Sequence, residues 1–417
     1  RRLPSVMRLN AILLSCLLFL IPGLPAQDKP KNGAGSLSPI QVKKALEGIV
    51  HGSATERQKL HDTVLRAFGM KNLAQGRAPA KIEQSTVVWA ILDPQPATVV
   101  SEDGTLIGEM IRLGDDGLQV LAREMPNFSD IRYRVESGGM PRMAGSAHVE
   151  HYEYTADSLP KADVPKGRLE KFEWKDSKVF PDTVRDVTVY LPANHRAGEE
   201  TCVMVWQDGT RHADPNGSMR VPVVFDNLIH QKAMPRTVGI FIDPGRKPQQ
   251  KPGDKAANRG FEYDSLGDAY VRFLLEEIIP EVEKRHGTKF RQTPAAWAIG
   301  GGSSGGICAF TTAWERPDKF GKVLSWVGSF VDLRGGHVYP SLIRITERKP
   351  VRVYLLDGEN DLDNLFGNWP LANKQMAAAL KYMNYDYRMD WNQCFHGSKG
   401  MAPVLPEALR WLWRDVR

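Results

Sequence analysis

The spacing of apolar residues changes twice along the chain. Ser38-Pro39 opens a helical pattern in which Ile40, Ala45, Leu46, Ile49 and Val50 recur at helical spacings. Thr55 followed by Gln58 reads as a capping box for a second helix carrying Leu60, Val64, Leu65 and Phe68. From Thr86 the pattern shifts to short β-like runs at 86–92, 97–101, 107–112, 118–123 and 131–136, several separated by Asp-Gly, Asp-Asp-Gly or Gly-Gly breaks. Strands at roughly ten-residue spacing predict a small β-sandwich. Residues 156–168, rich in Pro and Lys, read as an interdomain linker.

Beyond that linker, apolar strands alternate with helices. Strands are expected at 185–191, 202–206, 238–242, 296–299, 323–327 and 351–356. The helices fall at 266–283, 305–314, 369–383 and 403–414. This alternation predicts an α/β region with a mostly parallel sheet covered on both faces. The expected organisation is a polar leader and helical segment (27–85), a β-sandwich (86–155), the linker (156–168) and an α/β domain (169–417).

The segment from Met7 has a basic start at Arg8, an apolar stretch from Ala11 to Ile21 and a small-residue break ending at Ala26. It reads as an export signal covering 1–26, too short to span a bilayer. The expected location is therefore secreted or periplasmic, with no membrane span once the signal is removed. Composition is that of a globular chain: 417 residues, 42% hydrophobic and 25% charged. The net charge of +6 includes Arg1, Arg2 and Arg8, which leave with the signal and take no acid along. No basic stripe interleaved with aromatics marks a nucleic-acid surface. Cys202, Cys308 and Cys394 are widely spaced and suit buried small hydrophobes better than a disulfide framework or a metal site.

Chemistry concentrates in Ile299-Gly300-Gly301-Gly302-Ser303-Ser304-Gly305-Gly306, between a predicted strand and a predicted helix. A serine on a sharp strand-to-helix turn needs small neighbours two residues before and after it, and aims the following amide at a developing oxyanion. Both Gly301/Ser303/Gly305 and Gly302/Ser304/Gly306 satisfy that spacing. The Lys-Ser/Thr of a phosphate-binding loop is missing. A serine nucleophile needs a histidine base late in the chain, and His396 occupies that place. Its acid belongs in Asp357-Gly358-Glu359-Asn360-Asp361-Leu362-Asp363, with Asp361 favoured over Asp363 and Glu359. The oxyanion hole would take the amide of Ser304 and, from the loop after 202–206, that of Thr210. His148, Glu150 and His151 read as surface residues and not as a metal site, because i and i+3 point to opposite faces of a strand.

Together these motifs resemble the putative-esterase family that includes enterochelin (siderophore) esterases and is related to feruloyl and acetylxylan esterases. The likeness is carried by Ile299–Phe310, Leu356–Asn364, Phe395–Lys399 and Ala408–Trp413, with support from Phe261–Glu283 and Thr183–Pro192. It implies an α/β-hydrolase fold behind an immunoglobulin-like domain. It also implies a nucleophile at Ser303, flanked by Gly301, Gly305 and Gly306, an acid at Asp361 after Gly358, and a base at His396. Asn258, Arg259 and Glu262 sit where such esterases place substrate-facing polar groups. Phe395 departs from the Gly-Gly that often precedes the family's histidine, and Gly400 from a polar residue. The expected activity is cofactor-free and metal-free hydrolysis of a small-molecule or glycan-linked ester through an acyl-enzyme. The same residues would serve lactone hydrolysis or acyl transfer; a glycan-binding protein on an esterase scaffold is the non-enzymatic alternative.

Overall fold

The computed structural model describes residues 37–416 apart from 50, 51, 252, 253, 255 and 257. The expected export signal (1–26), most of the leader and Val50 lie outside the described residues.

Two regions follow one another. In the first, helices Pro39–Ile49 and Ala54–Phe68 cover one face of an antiparallel sheet built from Lys81–Glu83, Thr86–Leu92, Leu118–Glu124 and Ile111–Arg112. The second sheet, Leu106–Glu109, Ala97–Ser101, Ser129–Ser137 and Met140–Val149, covers the opposite face. Strand 86–92 is apolar throughout because both its faces are buried. Val88 and Ala90 meet Leu46, Val64 and Phe68 of the helices, while Val87, Trp89 and Ile91 meet Val99, Tyr133 and Val135 of the second sheet. The capping box of the second helix lies two residues earlier than expected. Ser53 Oγ accepts from the Glu56 amide at 3.3 Å, and Glu56 accepts from the Ser53 amide at 2.8 Å.

The second region is an α/β unit. Its main strands are β1 (Arg168–Trp174), β2 (Arg185–Leu191), β3 (Glu200–Gln207), β4 (Thr237–Ile242), β5 (Trp297–Gly302), β6 (Lys322–Trp326), β7 (Arg352–Asn360) and β8 (Tyr387–Phe395). Their order is β1-β2-β4-β3-β5-β6-β7-β8. Only β2 runs against its neighbours β1 and β4; the pairs from β4 to β8 are parallel. Helix Ser304–Glu315 packs on β5 and β6, and helix Leu405–Trp413 on β6 and β7. All the parallel strands point their C-terminal ends to one edge, where an open α/β sheet builds its site.

Two helices and the segment 156–168 depart from expectation. The long helix starts at Ala269, not Leu266, runs to His286 and contains one wide turn over Leu274–Ile278. Pro280 lacks an N–H and crowds the preceding turn, which accounts for the local widening. The C-terminal helix is shorter, Leu405–Trp413. The 156–168 segment is docked and not a free tether. Asn227 Nδ2 donates to the carbonyls of Asp157 and Leu159 at 2.8 and 3.0 Å, and Asp157 pairs with Arg410 at 2.5 Å. Cys202, Cys308 and Cys394 are buried free thiols.

Candidate active site

Ser303 stands at the end of β5 with φ 58° and ψ −126°, a strained conformation for a residue with a β-carbon. The turn is tight enough that a Cβ on Gly301 would lie 2.5 Å from the Gly305 carbonyl carbon, and one on Gly305 would press on Gln207 at 3.0 Å. The Ser303 amide donates to the Trp326 carbonyl at 3.1 Å, and its carbonyl accepts from the amides of Gly306 (2.9 Å) and Ser329 (3.1 Å). Sheet and elbow are thereby stitched together. The Ser304 side chain is buried in the first turn of the following helix, beside the Asp264 carboxyl.

The structure brings Ser303, His396 and Asp361 together. His396 Nε2 is 2.8 Å from Ser303 Oγ, and His396 Nδ1 is 2.6 Å from Asp361 Oδ1. The Asp361 side chain is fully buried, whereas the His396 side chain keeps 22% of its surface exposed. The proton pattern follows from the inventory of donors. A carboxylate only accepts, so Nδ1 carries the imidazole proton and Nε2 is left to accept from the serine. The other acids of the loop are elsewhere: Glu359 accepts from the Trp391 indole, and Asp363 is exposed at the base of a hairpin with Asn368.

Two further residues complete this chain, and neither has a motif. Trp369 Nε1 donates to Ser329 Oγ at 3.2 Å, and Ser329 Oγ lies 3.3 Å from Ser303 Oγ. Ser303 gives its hydrogen to His396 Nε2 and an indole nitrogen can only donate, so Ser329 accepts from Trp369 and directs its own hydrogen to Ser303. The polarity therefore runs Trp369 → Ser329 → Ser303 → His396. The sequence signal was modest: Gly328-Ser329 just after β6, at the sheet edge that carries the site.

The remaining expectations divide. The Thr210 amide is turned away, donating to Asp243 Oδ1 at 2.8 Å, while its hydroxyl donates to Asp243 Oδ2 at 2.5 Å. Thr210 is therefore not an oxyanion donor in this arrangement. Glu262 faces no substrate either. It forms a fully buried pair with Arg185 (2.5 and 2.9 Å) and accepts from Asn258 Nδ2 at 2.7 Å. A carboxylate and guanidinium with no accessible surface need each other to remain charged, so this is an internal clamp between β2 and helix Arg259–Asp264. Asn258 belongs to the clamp. Arg259 alone stays linked to the elbow: it is bidentate to Asp208 at 2.8 and 2.7 Å, and Asp208 borders Gly305. Burial opposes the Asp208 charge, but the facing Arg259 guanidinium outweighs it and holds the carboxyl below its usual range.

His148 and Glu150 are not simple surface residues. The His148 ring meets Phe395 edge-on at 5.2 Å, and the Glu150 carboxyl accepts from the Phe395 amide at 3.2 Å. Lys399 Nζ donates to the Glu150 carbonyl at 3.2 Å. The first region thus grips both flanks of His396, and the unusual Phe395 is where it does so. Among the described residues no group of three or more His, Cys, Asp and Glu could hold a metal ion.

The family model described as "Putative esterase" matches residues 179–337. The matched stretch contains Ser303 and Ser329 and stops before Asp361 and His396. The enterochelin esterase of Shigella flexneri has a similar structure, with TM-score 0.57 and 17% identity over 81% of this chain and 95% of that one. The ferric enterobactin esterase of Salmonella typhimurium gives 0.53 and 16%, over 81% and 96%. At such identities the likeness is one of fold, and it extends over both regions. No curated protein matches the chain.

Proposed function

We propose that this protein is an exported serine esterase that cleaves carboxylic esters through an acyl-enzyme. The esterase-family match supports the ester-hydrolase class. The observation that carries the serine mechanism is the continuous chain Asp361–His396–Ser303, closed at 2.6 and 2.8 Å on a strained elbow. Ser303 Oγ attacks the ester carbonyl as its proton passes to His396 Nε2. The carbonyl oxygen becomes an oxyanion facing the Ser304 amide, an N–H that begins a helix and has no intrahelical acceptor. Collapse breaks the bond to the alcohol, which leaves with the proton from Nε2. Water then repeats the sequence on the acyl-Ser303 ester and restores the free serine. Asp361 holds Nδ1–H throughout and stabilises the imidazolium.

Siderophore esters are the first substrates to try, because both fold neighbours are named for enterobactin or enterochelin; feruloyl and acetyl esters follow. Ser303→Ala is expected to lower turnover of a p-nitrophenyl ester by about 10⁴-fold or more and to abolish fluorophosphonate labelling. Full activity and labelling in that variant would refute the mechanism. Export is tested by the N-terminus of the protein recovered outside the cytoplasm, expected at Gln27.

A further inference from the structure

A second carboxyl lies behind Asp361. Asp357, in β7, is fully buried and precedes Asp361 across the irregularity between Gly358 and Asn360. One oxygen of each carboxyl is well supplied. Asp357 Oδ1 accepts from the Gly358 amide at 2.8 Å, and Asp361 Oδ1 from His396 and from the Leu362 amide, both at 2.6 Å. The other oxygen of each, Oδ2, is buried with no hydrogen-bond partner. Asn373 Oδ1 is in the same condition. Its amide cannot simply be turned over, because Nδ2 donates to the carbonyls of Gly328 (2.9 Å) and Trp369 (3.1 Å). Asp361 and Asn373 are the side chains that act most directly on the Asp357 carboxyl. Three buried acceptors in this corner of the fold are therefore left without a donor, an arrangement that folded proteins avoid.

The neighbours supply no cation to compensate. On one side β8 brings Cys394 and leads to His396, which is already engaged by Asp361 Oδ1. On the other, β6 brings Trp326 and Val327 beside Leu356. Helix Trp369–Tyr382 contributes Asn373, and Glu150 of the first region adds another carboxyl and no cation. Neither aspartate pairs with a lysine or arginine among the described residues. Burial, followed by the neighbouring Asp361 carboxylate, pushes the Asp357 carboxyl well above its ordinary range.

We infer that Asp357 is a neutral carboxylic acid whose Oδ2–H donates to Asp361 Oδ2, making it a positioning residue for the triad acid. This rests on the serine-esterase reading above. The proton stays on Asp357 throughout the cycle. It fixes the Asp361 carboxylate with Oδ1 towards His396 and draws off negative charge, which disfavours proton transfer from imidazolium to Asp361. Ionising Asp357 at alkaline pH would set two carboxylates against each other and free Asp361 to rotate.

The first test is infrared difference spectroscopy of the full chain at pH 7, wild type against Asp357→Asn. A protonated-carboxyl stretch present in the wild type and missing from the variant is expected, and it should fade as the pH is raised. The second is the pH profile of kcat/KM. Asp357→Ala leaves Asp361 Oδ2 unpaired and should lower kcat by about tenfold with KM little changed. Asp357→Asn keeps a donor, should recover most of that loss, and should lack the wild type's alkaline fall. Absence of the protonated stretch in the wild type, as two carboxylates sharing a water would give, overturns the inference. So does an Asn variant as impaired as the Ala variant. Should the wild type turn over no ester, the esterase reading would fail while the infrared band still decided the state of Asp357.

Discussion

Ser303 and His396, the proposed nucleophile and base, are supported in different ways. Ser303 is tied into the sheet: its backbone partners are Trp326, Gly306 and Ser329, all within the α/β region. His396 follows the edge strand β8, and its flanks are gripped by Glu150 and His148 of the preceding region. The contact from Glu150 to Phe395 spans 245 positions of the chain. The serine is a feature of one fold, whereas the histidine is held jointly by two. Damage to the first region should therefore reach the base while sparing the nucleophile's turn.

The strongest way to break this contrast is from the serine side. In Gly301→Ala the new Cβ would sit 2.5 Å from the Gly305 carbonyl carbon, where neither backbone can yield without opening the elbow. Displacement of Ser303 Oγ by even part of an ångström from His396 should cost about 10²-fold or more in kcat. The rate of fluorophosphonate labelling should fall with it. Labelling at the wild-type rate would show that the turn is more compliant than its close contacts imply.

A smaller effect is expected one step out. Ser329→Ala removes the hydroxyl that touches Ser303 and leaves the buried Trp369 indole without its acceptor. The lost hydrogen bond should slow kcat by about tenfold, and the orphaned N–H should lower stability by roughly 1–3 kcal/mol. Stopped-time labelling and chemical denaturation measure the two separately. A variant that loses stability but labels at full speed would assign Ser329 to packing and remove it from the reacting chain.

The same contrast explains what could be read from the residues alone. The elbow was legible because its constraints are local: a glycine at each position where a β-carbon would collide, between an apolar strand and an apolar helix. The α/β class was legible from buried strands such as β3 and β4, whose central stretches, 202–206 and 238–242, carry no polar side chain. Strand β8 was not foreseen, because Tyr387–Phe395 is half-buried and mixes Arg, Asp, Asn and Gln with its aromatics. Strand β1 and Met140–Val149 hide for the same reason, being exposed on one side and poor in alternation. Asp361 could be favoured among its neighbours, but only three-dimensional proximity separates it from Glu359 and Asp363. Thr210 and Glu262 misled because a polar residue near the site satisfies other buried groups as readily as a substrate. Glu150 was unreadable as support for a histidine far along the chain.

Glu150 gives the mildest and most specific test. Glu150→Ala deletes the acceptor for the Phe395 amide and should lower kcat by about three- to tenfold, the effect of one lost hydrogen bond next to the base. Glu150→Gln keeps an acceptor oxygen and should restore most of it. Labelling of Ser303 should persist in both. The pH dependence sharpens the distinction. Burial raises the Glu150 carboxyl above its usual range, although Lys399 and the Phe395 amide pull the other way. The folded protein thus keeps a proton that the unfolded chain releases from about pH 4.3 upward. The stability contributed by that proton is present at lower pH and is lost as the pH rises from there. Thermal denaturation at pH 5 and pH 8 should show a larger loss for the wild type than for Glu150→Gln, which cannot titrate. Equal losses would mean that Glu150 is already ionised in the fold.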